Sequence, residues 1–310
     1  MFHPFITWLI LGPITQITGQ DPQPFRISVN VDLVVLNVSV RNRDHQFAAD
    51  LREANFEVFE DGVKQSIQLF KHEDVPVTAG LIVDHSGSMR HKLTDVVAAA
   101  RTFVQASSSQ DEMFVVNFSD KVTLGLPAAI SFTSHADDLA RAISNTPAAG
   151  MTALYDALIV ARTRLQRGSR DKKVLVLISD GRDNASKHGL AEVIAMTQRS
   201  KALIYAIGIF DPEDPDRNPG VLRRIAAATG GEAYFPRQLP DVVAVCERIA
   251  RDIRQQYTIG YVSRVAAPPG SYRTIQVVAR DSAKRKLVVR TRPGYVSSDD
   301  SMPLKVGDAK

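Results

Sequence analysis

The strongest constraint in the sequence is a set of short runs that are apolar at every position, such as Val174-Leu175-Val176-Leu177-Ile178, separated by stretches of helical periodicity. A strand that is apolar on both faces belongs in a sheet covered by helices on each side, and such sheets are mainly parallel. Between residues 75 and 254 the pattern predicts strands at 77–83, 113–118, 122–126, 174–179, 202–209 and 232–235. Helices are expected between them at 93–106, 136–144, 153–166, 190–200, 221–228 and 240–253. The alternation predicts an α/β fold with a doubly wound, Rossmann-like sheet.

Both flanks are β-rich. Val34, Leu36, Val38 and Val40 alternate along one face of a strand, and residues 55–59 and 66–70 read as two strands around an Asp61-Gly62 turn. After residue 255 three more strands are expected at 257–262, 273–280 and 286–291. Neither flank has enough strands for two packed sheets, so segments 25–74 and 255–296 are expected to combine into one β-sandwich interrupted by the α/β unit at 75–254. The polar tail 297–310 is expected to fray.

Lys and Arg number 38 against 34 Asp and Glu, a net charge of +4 without basic blocks, so nucleic acid is not an expected partner. Cys246 is the single cysteine and lies on an apolar helix face with Val242, Val245, Ile249 and Ile253, which marks it as core and excludes an internal disulfide or a thiolate metal site. Residues 5–17 are uncharged and mostly apolar, shorter than the roughly 20 residues of a membrane helix. They are read as part of a signal peptide at 1–20, with cleavage near Gly19 or Gln20, despite the absence of Lys or Arg before them. The expected location is therefore outside the cytoplasm (periplasmic, cell-surface or secreted), with no integral span once the signal is removed.

Three loops carry candidate chemistry. The apolar strand at 77–83 runs into Asp84-His85-Ser86-Gly87-Ser88, the strand at 174–179 runs into Asp180-Gly181-Arg182-Asp183-Asn184, and Thr152 stands just before a helix. Ligands of open α/β sheets bind outside the carboxyl ends of strands. Asp84, Ser86, Ser88, Thr152 and Asp180 together make an all-oxygen set suited to a hard divalent cation, Mg²⁺ first, with Mn²⁺ or Ca²⁺ as alternatives.

In order, strand-end context and separation these residues resemble the metal-ion-dependent adhesion site of von Willebrand factor type A domains, a resemblance that covers about residues 75–254. The flanks are similar to those of exported bacterial proteins with a related domain, in which Phe56-Glu57-Val58-Phe59-Glu60-Asp61-Gly62 and Thr291-Arg292-Pro293-Gly294-Tyr295 recur. The resemblance implies a non-enzymatic binding module. Ser86, Ser88 and Thr152 would ligate the metal, Asp84 and Asp180 would ligate it or hold its water, and a partner protein's acidic side chain would complete the coordination. His85, between the first two motif residues, could project beside the metal and make binding depend on pH.

Each residue also has an ordinary reading. Thr152 suits a helix N-cap, Asp180-Gly181 a turn, and Asp183 either a hydrogen bond to a metal-bound water or, in the ordinary reading, a cap on the helix after Asn184. Lys284-Arg285-Lys286 reads as a solvated turn, and the histidines lack zinc-site spacing. An aspartyl-phosphate type Mg-dependent phosphatase would need a second acid two residues after Asp84, where Ser86 stands. A serine hydrolase would need a G-x-S-x-G elbow, which is missing around Ser86 and Ser88. The remaining alternative is a structural envelope scaffold with β-mediated contacts.

Overall fold

A computed structural model describes residues 33–44, 46–210, 217–238, 240–265 and 268–297. The signal-peptide reading of 1–20 and all of the tail beyond Ser297 lie outside the described residues. The strands are β1 (Leu33–Arg41), β2 (Phe56–Glu60), β3 (Val63–Gln65), β4 (Ile67–Lys71), β5 (Val77–Asp84), β6 (Glu112–Phe118), β7 (Val122–Leu124), β8 (Lys172–Ser179), β9 (Leu203–Gly208), β10 (Ala233–Tyr234), β11 (Tyr257–Val262), β12 (Tyr272–Ala279), β13 (Val288–Arg290) and β14 (Gly294–Val296). The α-helices are α1 (Leu93–Gln105), α2 (Ala136–Ser144), α3 (Leu154–Leu165), α4 (Leu190–Gln198), α5 (Pro219–Thr229) and α6 (Asp241–Arg254).

The central sheet has six strands in the order β10-β9-β8-β5-β6-β7. All of its pairings are parallel except that of the edge strand β7 with β6. Each of the eight residues of β5 is buried, as its two-faced apolar sequence requires. Helix α1 contacts α2 and α6, while α4 contacts α3 and α5, so helices pack in two groups around the sheet. One apolar core runs from Val77 through Met113, Leu158 and Ile178 to Ile253, and Cys246 sits within it at 1% exposure, as its helical spacing predicts.

A second core lies between two four-stranded antiparallel sheets, β13-β1-β11-β4 and β14-β12-β2-β3. Strand β1 pairs with β11 across Leu36↔Ile259, and β2 pairs with β12 across Val58↔Val277, so both sheets combine strands from the two ends of the chain, alternating in the first and meeting at the β12–β2 pair in the second. One detail departs from the sequence reading. The Asp61-Gly62 turn, with φ of 47° and 79°, pairs β2 with the short β3 rather than with residues 66–70. The chain then leaves that sheet after Gln65, and β4 joins the opposite sheet beside β11. Alternation along 66–70 reveals a half-buried strand but not which sheet it enters.

Candidate metal centre

The first loop is held by its neighbours before any ligand is considered. Strand β5 lies between β6 and β8, with Val83 opposite Asn117 on one side and Ile178 on the other. Its last residue, Asp84, is fully buried. Oδ1 of Asp84 accepts the Ser86 backbone N–H at 2.8 Å, which bends the chain out of the strand, and Oδ2 accepts the Ser179 hydroxyl at 2.6 Å. Beyond the bend, Ser86 Oγ and Ser88 Oγ are 3.1 Å apart, and the Ser88 hydroxyl donates to Asp180 Oδ2 at 2.7 Å. Asp84, Ser86, Ser88 and Asp180 therefore form one connected group at the carboxyl ends of β5 and β8.

The loop that carries Thr152 is tied to the first through backbone. Gly87 N–H donates to the Gly150 carbonyl at 3.2 Å, and Ala149 N–H donates to the His85 carbonyl at 2.8 Å. Thr152, buried at 2% exposure, binds the loop after β8 instead: its N–H donates to Asn184 Oδ1 at 2.7 Å and its carbonyl accepts Asn184 N–H at 3.0 Å. The hydroxyl of Thr152 takes no part in capping α3. That role falls to Asp183 and Ser186, whose side chains accept the Tyr155 N–H at 3.2 and 3.0 Å. Asp183 is thus a helix cap, on α3 rather than on the helix that follows it.

His85 does not face the loops. Its ring is fully buried, with Nε2 3.1 Å from Asn117 Oδ1, and burial holds its pKa below the usual histidine value. Asn117 in turn donates to the Ala142 carbonyl and to Thr146 Oγ1, so His85 braces β5 against β6 and the end of α2.

The residues that sequence reasoning missed hold the site in shape. Ser179 accepts the Gly181 N–H at 3.0 Å while donating to Asp84, and Asn184 joins the loop after β8 to the loop that carries Thr152. Arg182 places Nε and Nη2 on Asp180 Oδ2 at 3.1 and 2.9 Å. Gly181 has φ of 82°, and a Cβ there would fall 2.4 Å from the Asn218 carbonyl oxygen. Gly181→Ala is expected to cost about 1–3 kcal/mol, read as a lowered midpoint in urea unfolding.

The donor set fits a hard divalent cation. Burial pushes the Asp84 carboxyl up to about 6, helped by the neighbouring charge of Asp180 and opposed by the bonds from Ser179 and Ser86. Two carboxylates and neighbouring hydroxyls at one sheet edge are the chemistry that Mg²⁺ or Mn²⁺ selects. Of the set only Ser88 is partly exposed, while Asp84, Ser86, Thr152 and Asp180 are buried; beside them in the chain Gly87, Arg90 and Met151 are exposed, Met151 at 53%.

Comparison with known proteins agrees with this architecture. The structure resembles that of a von Willebrand factor type A protein from Catenulispora acidiphila, with a TM-score of 0.52 and 16% identity over 87% of this chain and 74% of that one. It also resembles proximal thread matrix protein 1 of the mussel byssus, solved with a zinc-occupied MIDAS motif, with a TM-score of 0.50 and 16% identity over 59% of this chain and 49% of that one. The present chain thus spans about half the length of the mussel protein. At this identity the likeness is one of fold, and no curated protein matches the chain. The von Willebrand factor type A family model matches residues 80–244, more than half of the sequence, and the chain belongs to that family.

Proposed function

We propose that this protein is an exported, metal-dependent protein-binding module in which Mg²⁺ is held by Asp84, Ser86, Ser88, Thr152 and Asp180 and an acidic side chain of a partner protein completes the coordination. Type A domains are in general interaction modules that bind a divalent metal, which supports the class. The observation that carries the reading is the hydrogen-bonded chain Ser86–Ser88–Asp180, next to a buried Asp84 whose charge burial disfavours. A cation supplies the charge compensation that this carboxylate lacks, and its two charges balance Asp84 and Asp180. The cation's chemistry there would be Lewis-acid attraction of a carboxylate oxygen. The chain's own residues orient the oxygens and leave the exposed rim of Gly87, Arg90 and Met151 for the partner.

Affinity capture from native extract of the source organism, with Mg²⁺ and with chelator, tests the reading. Partner capture is expected only with Mg²⁺, and excess free acetate, a competing carboxylate, should reduce it. Capture indifferent to chelator would instead favour β-mediated scaffolding through the flanking sheets.

A further inference from the structure

Asp180 does not wait for a cation with its oxygens vacant. Oδ2 accepts the Ser88 hydroxyl at 2.7 Å together with Nε and Nη2 of Arg182 at 3.1 and 2.9 Å, and Oδ1 accepts the Arg182 backbone N–H at 3.1 Å. The carboxylate is buried, with side-chain exposure of 1%, whereas the arginine is partly open at 24%. A guanidinium on a buried carboxylate is a strong, charge-assisted contact. It also places a positive charge on the carboxylate that would help hold a divalent cation at this site, directly or through water, and two cations on one carboxylate repel.

We propose that Arg182 is a tethered counter-cation that occupies Asp180 and competes with the divalent metal, so that the site loads only when the guanidinium swings off. The inference rests on the metal-site reading above and adds a regulatory element to it. The short tether keeps the competitor local: Arg182 is only two residues from Asp180, on the loop after β8, and its backbone N–H anchors the turn whichever way the side chain points. The arrangement keeps a buried carboxylate compensated before loading and sets the metal concentration at which loading occurs.

If the latch is closed nine-tenths of the time, the apparent Kd for metal is raised about tenfold. Calorimetric titration of MgCl₂ and MnCl₂ into the full chain, stripped of metal beforehand, reads this directly. Arg182→Gln is expected to tighten both affinities by about tenfold, and Arg182→Lys, which keeps the charge but loses the two-nitrogen contact, by less. Without metal, Arg182→Gln should melt lower than the native chain because Asp180 loses its partner, and saturating Mg²⁺ should close that gap. Equal or weaker binding by a folded Arg182→Gln chain, checked by circular dichroism, overturns the proposal. Should that variant fail to fold, Arg182→Lys decides by the same direction of change. Asp84→Ala separates the two levels of the argument. If that variant binds metal as well as the native chain, the metal-site reading fails; if it loses binding while Arg182→Gln gains none, the latch alone fails. Absence of binding in every chain overturns both.

Discussion

Asp84→Asn is expected to weaken divalent-cation binding by at least about a hundredfold while leaving the metal-free protein as stable as the native chain or more so. Both halves follow from one fact, the complete burial of this carboxylate. A neutral amide offers the cation one weak oxygen in place of a charge, a loss of several kcal/mol in a site of low dielectric. In the absence of metal the same change removes a charge that burial disfavours, with the Ser86 N–H still able to donate to the amide oxygen and the amide NH2 facing the Ser179 hydroxyl, which then accepts instead of donating. The melting temperature of the metal-free variant should therefore equal or exceed the native value by about 2–4 °C, in the way functional sites trade stability for activity. Proton linkage gives a second check. The folded Asp84 binds its proton up to about pH 6, above the carboxyl's ordinary value of 3.8, so the metal-free chain gains stability as pH falls through 6 towards 4. Metal affinity runs the opposite way, because the cation must displace that proton, and it should weaken by up to tenfold per pH unit below about 6. Calorimetric titration at pH 5, 6 and 7.5 together with thermal melts at the same values measures all three effects. A metal-free Asp84→Asn chain much less stable than the native one would show that this carboxylate is structural.

The sheet was legible because its strands leave no polar face: Val174 to Ile178 can be satisfied only by helices on both sides, and β5, β6, β8 and β9 all read this way. Asp84 and Asp180 were legible as candidates because each follows such a strand, where topology alone brings the ends of β5 and β8 side by side. What lay beyond reach was the direction of individual side chains. His85 neighbours two motif residues in sequence, yet the bend set by Asp84 and Ser86 turns its ring inward to Asn117. Asp183 has the composition of a local cap, and the helix it caps is met 28 residues earlier in the chain. Arg182 could have been any exposed arginine, since only the fold places its long side chain over Asp180. β4 shows the same limit at the level of topology, because period-2 alternation marks a strand without naming its sheet.

Asp252→Ala is expected to cost about 3–5 kcal/mol, and to divide unfolding into two steps. Asp252 lies on α6 with its side chain 3% exposed, where the helix of the α/β unit meets the sandwich. Its Oδ1 accepts the Ser39 hydroxyl at 2.7 Å and Arg41 Nη2 at 3.1 Å, both from β1, and its Oδ2 accepts the Tyr205 hydroxyl of β9 at 2.5 Å and the Arg290 guanidinium of β13. Glu232 extends the network, pairing with Arg41 at 3.3 Å and with Arg290. Burial alone would raise the Asp252 pKa, but Arg290, the hydroxyls of Tyr205 and Ser39, and Arg41 outweigh it and hold the carboxyl below its usual range. Removing it leaves two largely buried guanidinium groups sharing the one carboxylate of Glu232 among the described residues and strips the Tyr205 hydroxyl of its acceptor, which is why the loss exceeds that of a surface pair. At about 1.5 °C per kcal/mol for a chain of this size, the melting temperature should fall by about 5–8 °C. The depressed pKa fixes the sign with pH: the native advantage is complete above the unfolded carboxyl value of about 3.9 and disappears as pH falls through the lower folded value. Two separate apolar cores stand on either side of this network, and the chain crosses between them near residues 74 and 255, where Arg254 pairs with Asp74 at 2.8 Å. With Asp252 gone, the sandwich and the α/β unit lose a buried charged bond, so calorimetry is expected to resolve two transitions where the native chain is expected to give one. A single transition in Asp252→Ala, displaced by less than about 1 kcal/mol, would mean that apolar packing alone couples the two cores.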